Sequence, residues 1–251
     1  MEIALKTYKK NFEYSYTFGM FPTVELINSR PDKVIKVLVS SNFKLDSSSL
    51  DIFELCKNNN IETEVNDKQF NRIGAKENCY IIGVFKKYDC DIDMDKSHVV
   101  LVNPSNMGNM GTIIRTLTGF GINDLSIISP GVDIFDPKVI RASMGAVFRI
   151  NFKYYENFDN YKNDFENHKI YTFMLNGAKS LKEVGHNPNE LFTLVFGNEA
   201  TGLDDSFLNI GTSVIIKHTN RIDSLNLTIA AGIALYEFCS WYYIFKKQPC
   251  K

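Results

Sequence analysis

NPSNMGNMGTIIRTLTGFGINDLSII, residues 103 to 128, sets the architecture of this chain. It leaves the apolar strand HVVLV, passes a glycine-bearing loop, runs through the helix candidate GTIIRTLTGFG and reaches another strand at LSIIS. Gly108 and Gly111 permit tight turning and close backbone approach, and Asn109 can donate and accept hydrogen bonds in the loop. Arg115 then stands one turn into the helix. Taken alone, Asn109 also fits a helix cap and Arg115 a solvated helix charge. The loop matches neither GxGxxG nor a phosphate-binding loop.

Downstream, a loop and helix run through Pro137 to Met144, and further strands are predicted at KIYTFML, FTLVFG and SVIIK. Such near-continuous apolar strands suit a parallel sheet covered on both faces. In LVFGNEATGLDD, residues 194 to 205, a strand runs directly into Gly197, Asn198 and Glu199. A carboxylate at the carboxyl end of a parallel strand stands where open α/β sheets bind ligands, although Glu199 also fits a cap for the next turn. In RIDSLNLTIAAGIALYEF, residues 221 to 238, a polar loop with Ser224 and Asn226 precedes a helix. Ala230, Ala231 and Gly232 invite close packing there, and Ser224 alone fits an N-cap. The helix is expected from about Leu225 to Phe245, with Leu225, Ile229, Ile233 and Tyr236 on one face. The aromatic stretch FKYYENFDNYKNDF, residues 152 to 165, suits packing against a neighbouring element better than stacking on bases.

Upstream, VIKVLVS, SLDIFELCKNN, IETEV, DKQFNRIG and CYIIGVF alternate strand and helix patterns, which reads as a small α/β domain. The acidic stretch KKYDCDIDMDK, residues 86 to 96, serves as linker or connecting loop. Two domains follow, residues 1–92 and 97–251.

The chain has 251 residues, 44% hydrophobic content and a net charge of -1, which suits a soluble two-domain protein. That neutrality argues mildly against a nucleic-acid partner while leaving a local basic patch open. No secretory signal and no apolar run near the roughly 20 residues of a membrane span is seen, so the cytoplasm is expected. Cys56, Cys79, Cys90, Cys239 and Cys250 form no CxxC and are expected as reduced structural thiols. His98, His168, His186 and His218 lack metal-ligand spacing, so no metal site is expected.

Taken together, NMGNMGTIIRT, FGNEATGL and DSLNLTIAAGIALYE resemble, in order and spacing, the three motifs of the SpoU, or TrmH-like, family of RNA ribose methyltransferases in the SPOUT superfamily. The resemblance covers about His98 to Phe245, and residues of about 16 to 88 look like the family's L30e-like substrate-binding domain. It implies a deep trefoil knot in the C-terminal domain, S-adenosylmethionine as cofactor, and an RNA substrate, tRNA or rRNA, methylated at a ribose 2'-hydroxyl. It assigns Arg115 to the attacking ribose, with Asn109 beside it and Glu199, Ser224 and Asn226 completing the site. Backbone groups of Gly197, Ile216 and Leu225 face the cofactor. Arginine is a poor general base, so holding the adjoining phosphate and stabilising the alkoxide suits Arg115 better. The resemblance also implies a homodimer, for which Phe238, Trp241, Tyr242, Tyr243 and Phe245 offer an apolar surface. Two positions depart from the motifs: Met107 replaces the usual proline, and IIKHT, residues 215 to 219, replaces an isoleucine-proline-methionine run. The alternatives are base methylation on the same fold and a non-catalytic RNA-binding protein.

Overall fold

The structure, a computed structural model, describes residues 5–44, 52–75, 78–185, 187 and 190–245, with the side chains of 240–245 outside that description. The predicted strands and helices fall into two compact units. One holds residues 1–88 and 133–149, the other 89–132 and 150–251.

In the first unit the chain runs β1 (Tyr14–Phe18), α1 (Met20–Ser29), β2 (Val34–Val39), α2 (Ile52–Asn58), β3 (Thr63–Val65), α3 (Asp67–Ile73) and β4 (Ile81–Lys86). The sheet order is β1-β4-β2-β3. β4 is antiparallel to β1 and β2, while β2 and β3 run parallel. Strand alternation divides the core. Val37 and Val39 join Ile27, Ile52 and Cys56 in one cluster, whereas Leu38 joins Tyr16, Phe70 and Ile82 in another.

The second unit begins in the acidic stretch, where Ile92 is buried in its core and the Cys90 thiol accepts from the Phe152 amide at 3.1 Å. The chain continues through β5 (His98–Val102), α4 (Met107–Gly119) and β6 (Asp124–Ile128). Residues 133–149, with α5 (Pro137–Ala142), belong instead to the first unit. There the Ser15 hydroxyl donates to the Phe135 carbonyl at 2.6 Å, Phe135 and Phe148 meet Phe85 edge-on, and Arg149 forks onto Glu25. A linear division at residues 92–97 does not provide for this excursion.

Back in the second unit come β7 (Asn151–Tyr155), α6 (Phe158–Asp164), β8 (Lys169–Phe173), β9 (Lys179–Ser180), β10 (Phe192–Phe196), β11 (Thr212–Ile215) and α7 (Leu227–Phe245). The seven strands are all parallel, in the order β7-β6-β5-β10-β8-β11-β9. The aromatic stretch 152–165 packs as expected, with Phe152, Tyr155, Phe158, Tyr161 and Phe165 buried. No helix among the described residues is long and apolar enough to cross a membrane, and none of their His, Cys, Asp and Glu side chains group as a metal site.

At the amino ends of the central strands lies a polar network. His98 Nε2 donates to the Asp93 carbonyl at 2.7 Å, so its neutral ring accepts at Nδ1 from the Tyr161 hydroxyl at 3.1 Å. The Tyr161 oxygen then accepts from Thr193 Oγ1 at 2.7 Å, and Thr193 accepts from His168 Nδ1 at 2.9 Å. Burial holds both histidines below their ordinary pKa, His168 at about 4. They are core residues that carry their own hydrogen bonds.

Candidate active site

β5 and β10 are neighbours in the middle of the sheet, yet the chain winds outward from β5 through β6 to β7 on one side and builds β8 to β11 on the other. The carboxyl edge beside such a pair is where open α/β sheets place their ligands. After β5, Asn103 takes a left-handed backbone, φ 51°, which asparagine tolerates better than most residues. The Asn106 side chain accepts from the Asn109 amide at 3.0 Å and starts α4 at Met107. The helix therefore begins four residues before the predicted Gly111. Arg115 lies more than two turns inside it instead of one.

After β10, Gly197 is required by space: a Cβ there would stand 2.1 Å from the carbonyl carbon of Gly202. Asn198 then ties the two loops, its amide nitrogen donating to the Asn103 carbonyl at 2.7 Å and its oxygen accepting from the Ala200 amide at 2.8 Å. Glu199 ties them further. Its carboxylate accepts from the Ser105 amide at 3.1 Å, the Ser105 hydroxyl at 2.9 Å, the Asn106 amide at 3.1 Å and Asn109 Nδ2 at 3.4 Å. Burial pushes its pKa up, but these hydrogen bonds and that of its own amide outweigh it and hold the carboxyl below the ordinary range. A fixed anion at the first turn of α4 also faces the positive end of the helix dipole.

Beside this knot of hydrogen bonds lies a cavity of about 490 Å³, whose walls include Phe173, Phe196, Ile216, His218, Ser224 and Leu225. Phe173 and Phe196 stack at 4.6 Å, and Gly197 and Glu199 also face the space. Gly177 lets another backbone in, since a Cβ there would meet the Val214 carbonyl carbon at 2.4 Å. The sequence-predicted residues divide accordingly. Gly197, Glu199, Ile216, Ser224 and Leu225 line one cavity, and Asn109 bonds to Glu199.

Asn226 and Arg115 are not among the lining residues. The Asn226 side chain accepts from the Thr228 amide at 2.8 Å and hydroxyl at 2.6 Å, so it takes the capping role that Ser224 alone suggested. Arg115 is exposed on α4 with no hydrogen-bonded or ionic partner among the described residues. Sequence reading assigned no role to Ser105, Asn106 or Asn198. The signal was present as a Ser-Asn pair just before a helix, where such side chains cap and clasp.

Residues 96–236 match the model of the SpoU rRNA Methylase family, more than half of the 251 residues. The chain belongs to that family. One relative is the 23S rRNA (adenosine(1067)-2'-O)-methyltransferase of Streptomyces azureus, 33% identical over 143 residues, or 55% of this chain and 52% of that one. Another is the tRNA (cytidine-2'-O-)-methyltransferase TrmJ of Methanocaldococcus jannaschii, 29% identical over 150 residues, 55% of this chain and 65% of that one. The matched stretch thus spans between half and two thirds of either relative's length. In fold, the SpoU methyltransferase AviRb of Streptomyces viridochromogenes, solved with the cofactor AdoMet, superposes with a TM-score of 0.78 at 19% identity, covering 92% of this chain and 91% of that one.

The lining of this SpoU-family cavity suits a nucleoside-sized ligand. Its volume is in the usual range for small-molecule sites, apolar side chains form much of its wall, and Gly197, Gly202 and Ile216 add loop backbone to the lining. A fixed carboxylate and a set of loop amides can orient a ligand there.

Proposed function

We propose that the protein is an S-adenosylmethionine-dependent RNA methyltransferase that modifies a ribose 2'-hydroxyl of tRNA or rRNA. The observation that carries this reading is the convergence of Gly197, Glu199, Ile216, Ser224 and Leu225 on one cavity at the carboxyl edge of the parallel sheet. Family membership and the ribose-directed names of the relatives support it. Gly197, Ile216 and Leu225 hold the cofactor through backbone and apolar contacts. The bound cofactor supplies an activated methyl group. Glu199 keeps the loops after β5 and β10 clasped through Ser105, Asn106 and Asn109, so that the cavity is formed before a ligand arrives. Ser224 orients what enters, and Asn226 fixes the start of α7 beneath it. Arg115 binds the phosphate next to the target ribose and stabilises the developing alkoxide.

The same reading takes the first unit as an L30e-like RNA-recognition domain, the C-terminal segment of the second as a trefoil knot, and the cytoplasm as the site of action. It also takes the working form as a homodimer. α7 presents Ile229, Ile233 and Tyr236 outward, 54%, 39% and 64% exposed, and a two-fold contact would bury such a stripe against its own copy. That contact brings Arg115 of one protomer toward the cavity of its partner, which accounts for its absence from its own. Phe238, expected in the interface, is instead buried against Tyr171 and Phe192. The side chains of Trp241, Tyr242, Tyr243 and Phe245 lie outside the described residues.

The test is methyl transfer from S-adenosylmethionine to cellular RNA, followed by nuclease digestion and mass spectrometry. A 2'-O-methyl nucleoside is expected, and Arg115→Ala should remove all but about one per cent of turnover while leaving cofactor affinity unchanged. A base-methylated product overturns the ribose assignment. Failure to bind the cofactor leaves the RNA-binding alternative.

A further inference from the structure

His218 lines the cavity beside Ile216, and its Nδ1 lies 2.9 Å from the Ile216 carbonyl oxygen. A carbonyl only accepts, so the proton of the neutral ring is on Nδ1. Nε2 therefore carries an exposed lone pair, and it has no hydrogen-bond partner among the described residues. His98, in the core of this unit, spends both nitrogens, one on the Asp93 carbonyl and the other on Tyr161. His218 spends one and leaves the other available at a ligand-sized space.

What surrounds that acceptor narrows its partner. Ile215, Ile216, Leu225 and Leu227 line the same space, whereas Glu199 and Asp205 supply its carboxylates. A charged ammonium gains most from a carboxylate. A neutral, planar N–H donor held between aliphatic side chains suits a single imidazole acceptor. Resting on the methyltransferase reading above, we propose that His218 Nε2 accepts a hydrogen bond from the exocyclic amine of the cofactor's adenine, so that a side chain of this chain reads the base. The Nδ1–Ile216 bond sets the tautomer that makes this possible.

Two substitutions separate the two nitrogens. His218→Asn puts an amide N–H near the Nδ1 position and nothing at Nε2, while His218→Gln reaches the Nε2 position without the Ile216 bond. Binding is measured by calorimetry at pH 8 with S-adenosylmethionine and with its analogue lacking the exocyclic amine. For the native protein, loss of the amine should weaken binding about five- to tenfold, the worth of one neutral hydrogen bond. His218→Asn should weaken S-adenosylmethionine binding by the same factor and be indifferent to the amine, and His218→Gln should recover part of the discrimination. An Asn variant that binds like the native protein, or that still discriminates between the two ligands, overturns the proposal while leaving the methyltransferase reading intact. A native protein that binds neither ligand overturns both.

Discussion

The two ends of the seven-stranded sheet are both polar, and they differ in what their polar atoms have left to offer. At the amino end, His98, Tyr161, Thr193 and His168 form one directed chain of hydrogen bonds in which His98 and Thr193 are wholly buried. At the carboxyl end, Glu199 and Asn198 gather the loops after β5 and β10 with comparable density, but the clasp borders a 490 Å³ space faced by backbone groups, Ser224 and His218. A buried polar cluster is thus not in itself a site. Because an unpaired buried group costs about 1–3 kcal/mol, the amino end pairs most of its polar groups with one another, leaving His168 Nε2 without a partner among the described residues. The carboxyl end uses its hydrogen bonds to hold open a surface whose remaining groups await a partner.

The strongest way to break this contrast is Gly197→Ala. A methyl group 2.1 Å from the Gly202 carbonyl carbon forces the loop after β10 to move. Overpacking against backbone costs about 3 kcal/mol, and loss of the loop's shape should abolish detectable cofactor binding by calorimetry. A variant that binds normally would mean that the loop is not part of the cofactor site.

A matched pair sharpens it. Thr193→Val removes the hydroxyl that joins Tyr161 to His168, so thermal or urea unfolding should show a loss of about 1–3 kcal/mol with cofactor affinity unchanged. Glu199→Ala releases four donors, three of them in exposed surroundings where water replaces the carboxylate. It should therefore cost less stability, about 1 kcal/mol, and weaken cofactor binding about tenfold through the loosened loops. The reverse pattern would exchange the roles assigned to the two ends.

Much of this was legible before the fold was known. HVVLV and FTLVF read as buried strands because their apolar runs are bounded by glycine and polar loops, and they became the adjacent β5 and β10. Their adjacency was not legible, since a parallel order is set by crossovers. The onset of α4 was misplaced because the glycine-bearing run before Gly111 suggested a loop, whereas the Asn106 cap draws Met107 to Met110 into the helix. Along α7, the periodic set Ile229, Ile233 and Tyr236 is the outward face. Ala231, Ala234, Leu235 and Phe238 are the buried one, a stripe that small residues disguise. Residues 133–149 read as part of the second domain because sequence order carries no information about which core a segment joins.

Stability should also depend on pH. His98 and His168 are held below their ordinary 6.5 by burial, so the unfolded chain binds protons first and stability falls as pH drops from 6.5 toward about 4. Glu199, also lowered, adds to the loss only below its ordinary 4.5. The urea midpoint should decline between pH 6.5 and 4.5, and His168→Gln, which retains a donor for Thr193, should flatten that decline. An equal slope in the variant would place the titrating group elsewhere.

Hydrogen exchange with and without S-adenosylmethionine tests the central claim most directly, because it reads both ends of the sheet in one sample. Protection should rise in peptides covering residues 103–109, 196–203 and 215–226 and stay unchanged across 91–98 and 161–168. Protection confined to the amino end, or spread evenly over both, would contradict the assignment of the carboxyl edge as the place where this protein does its chemistry.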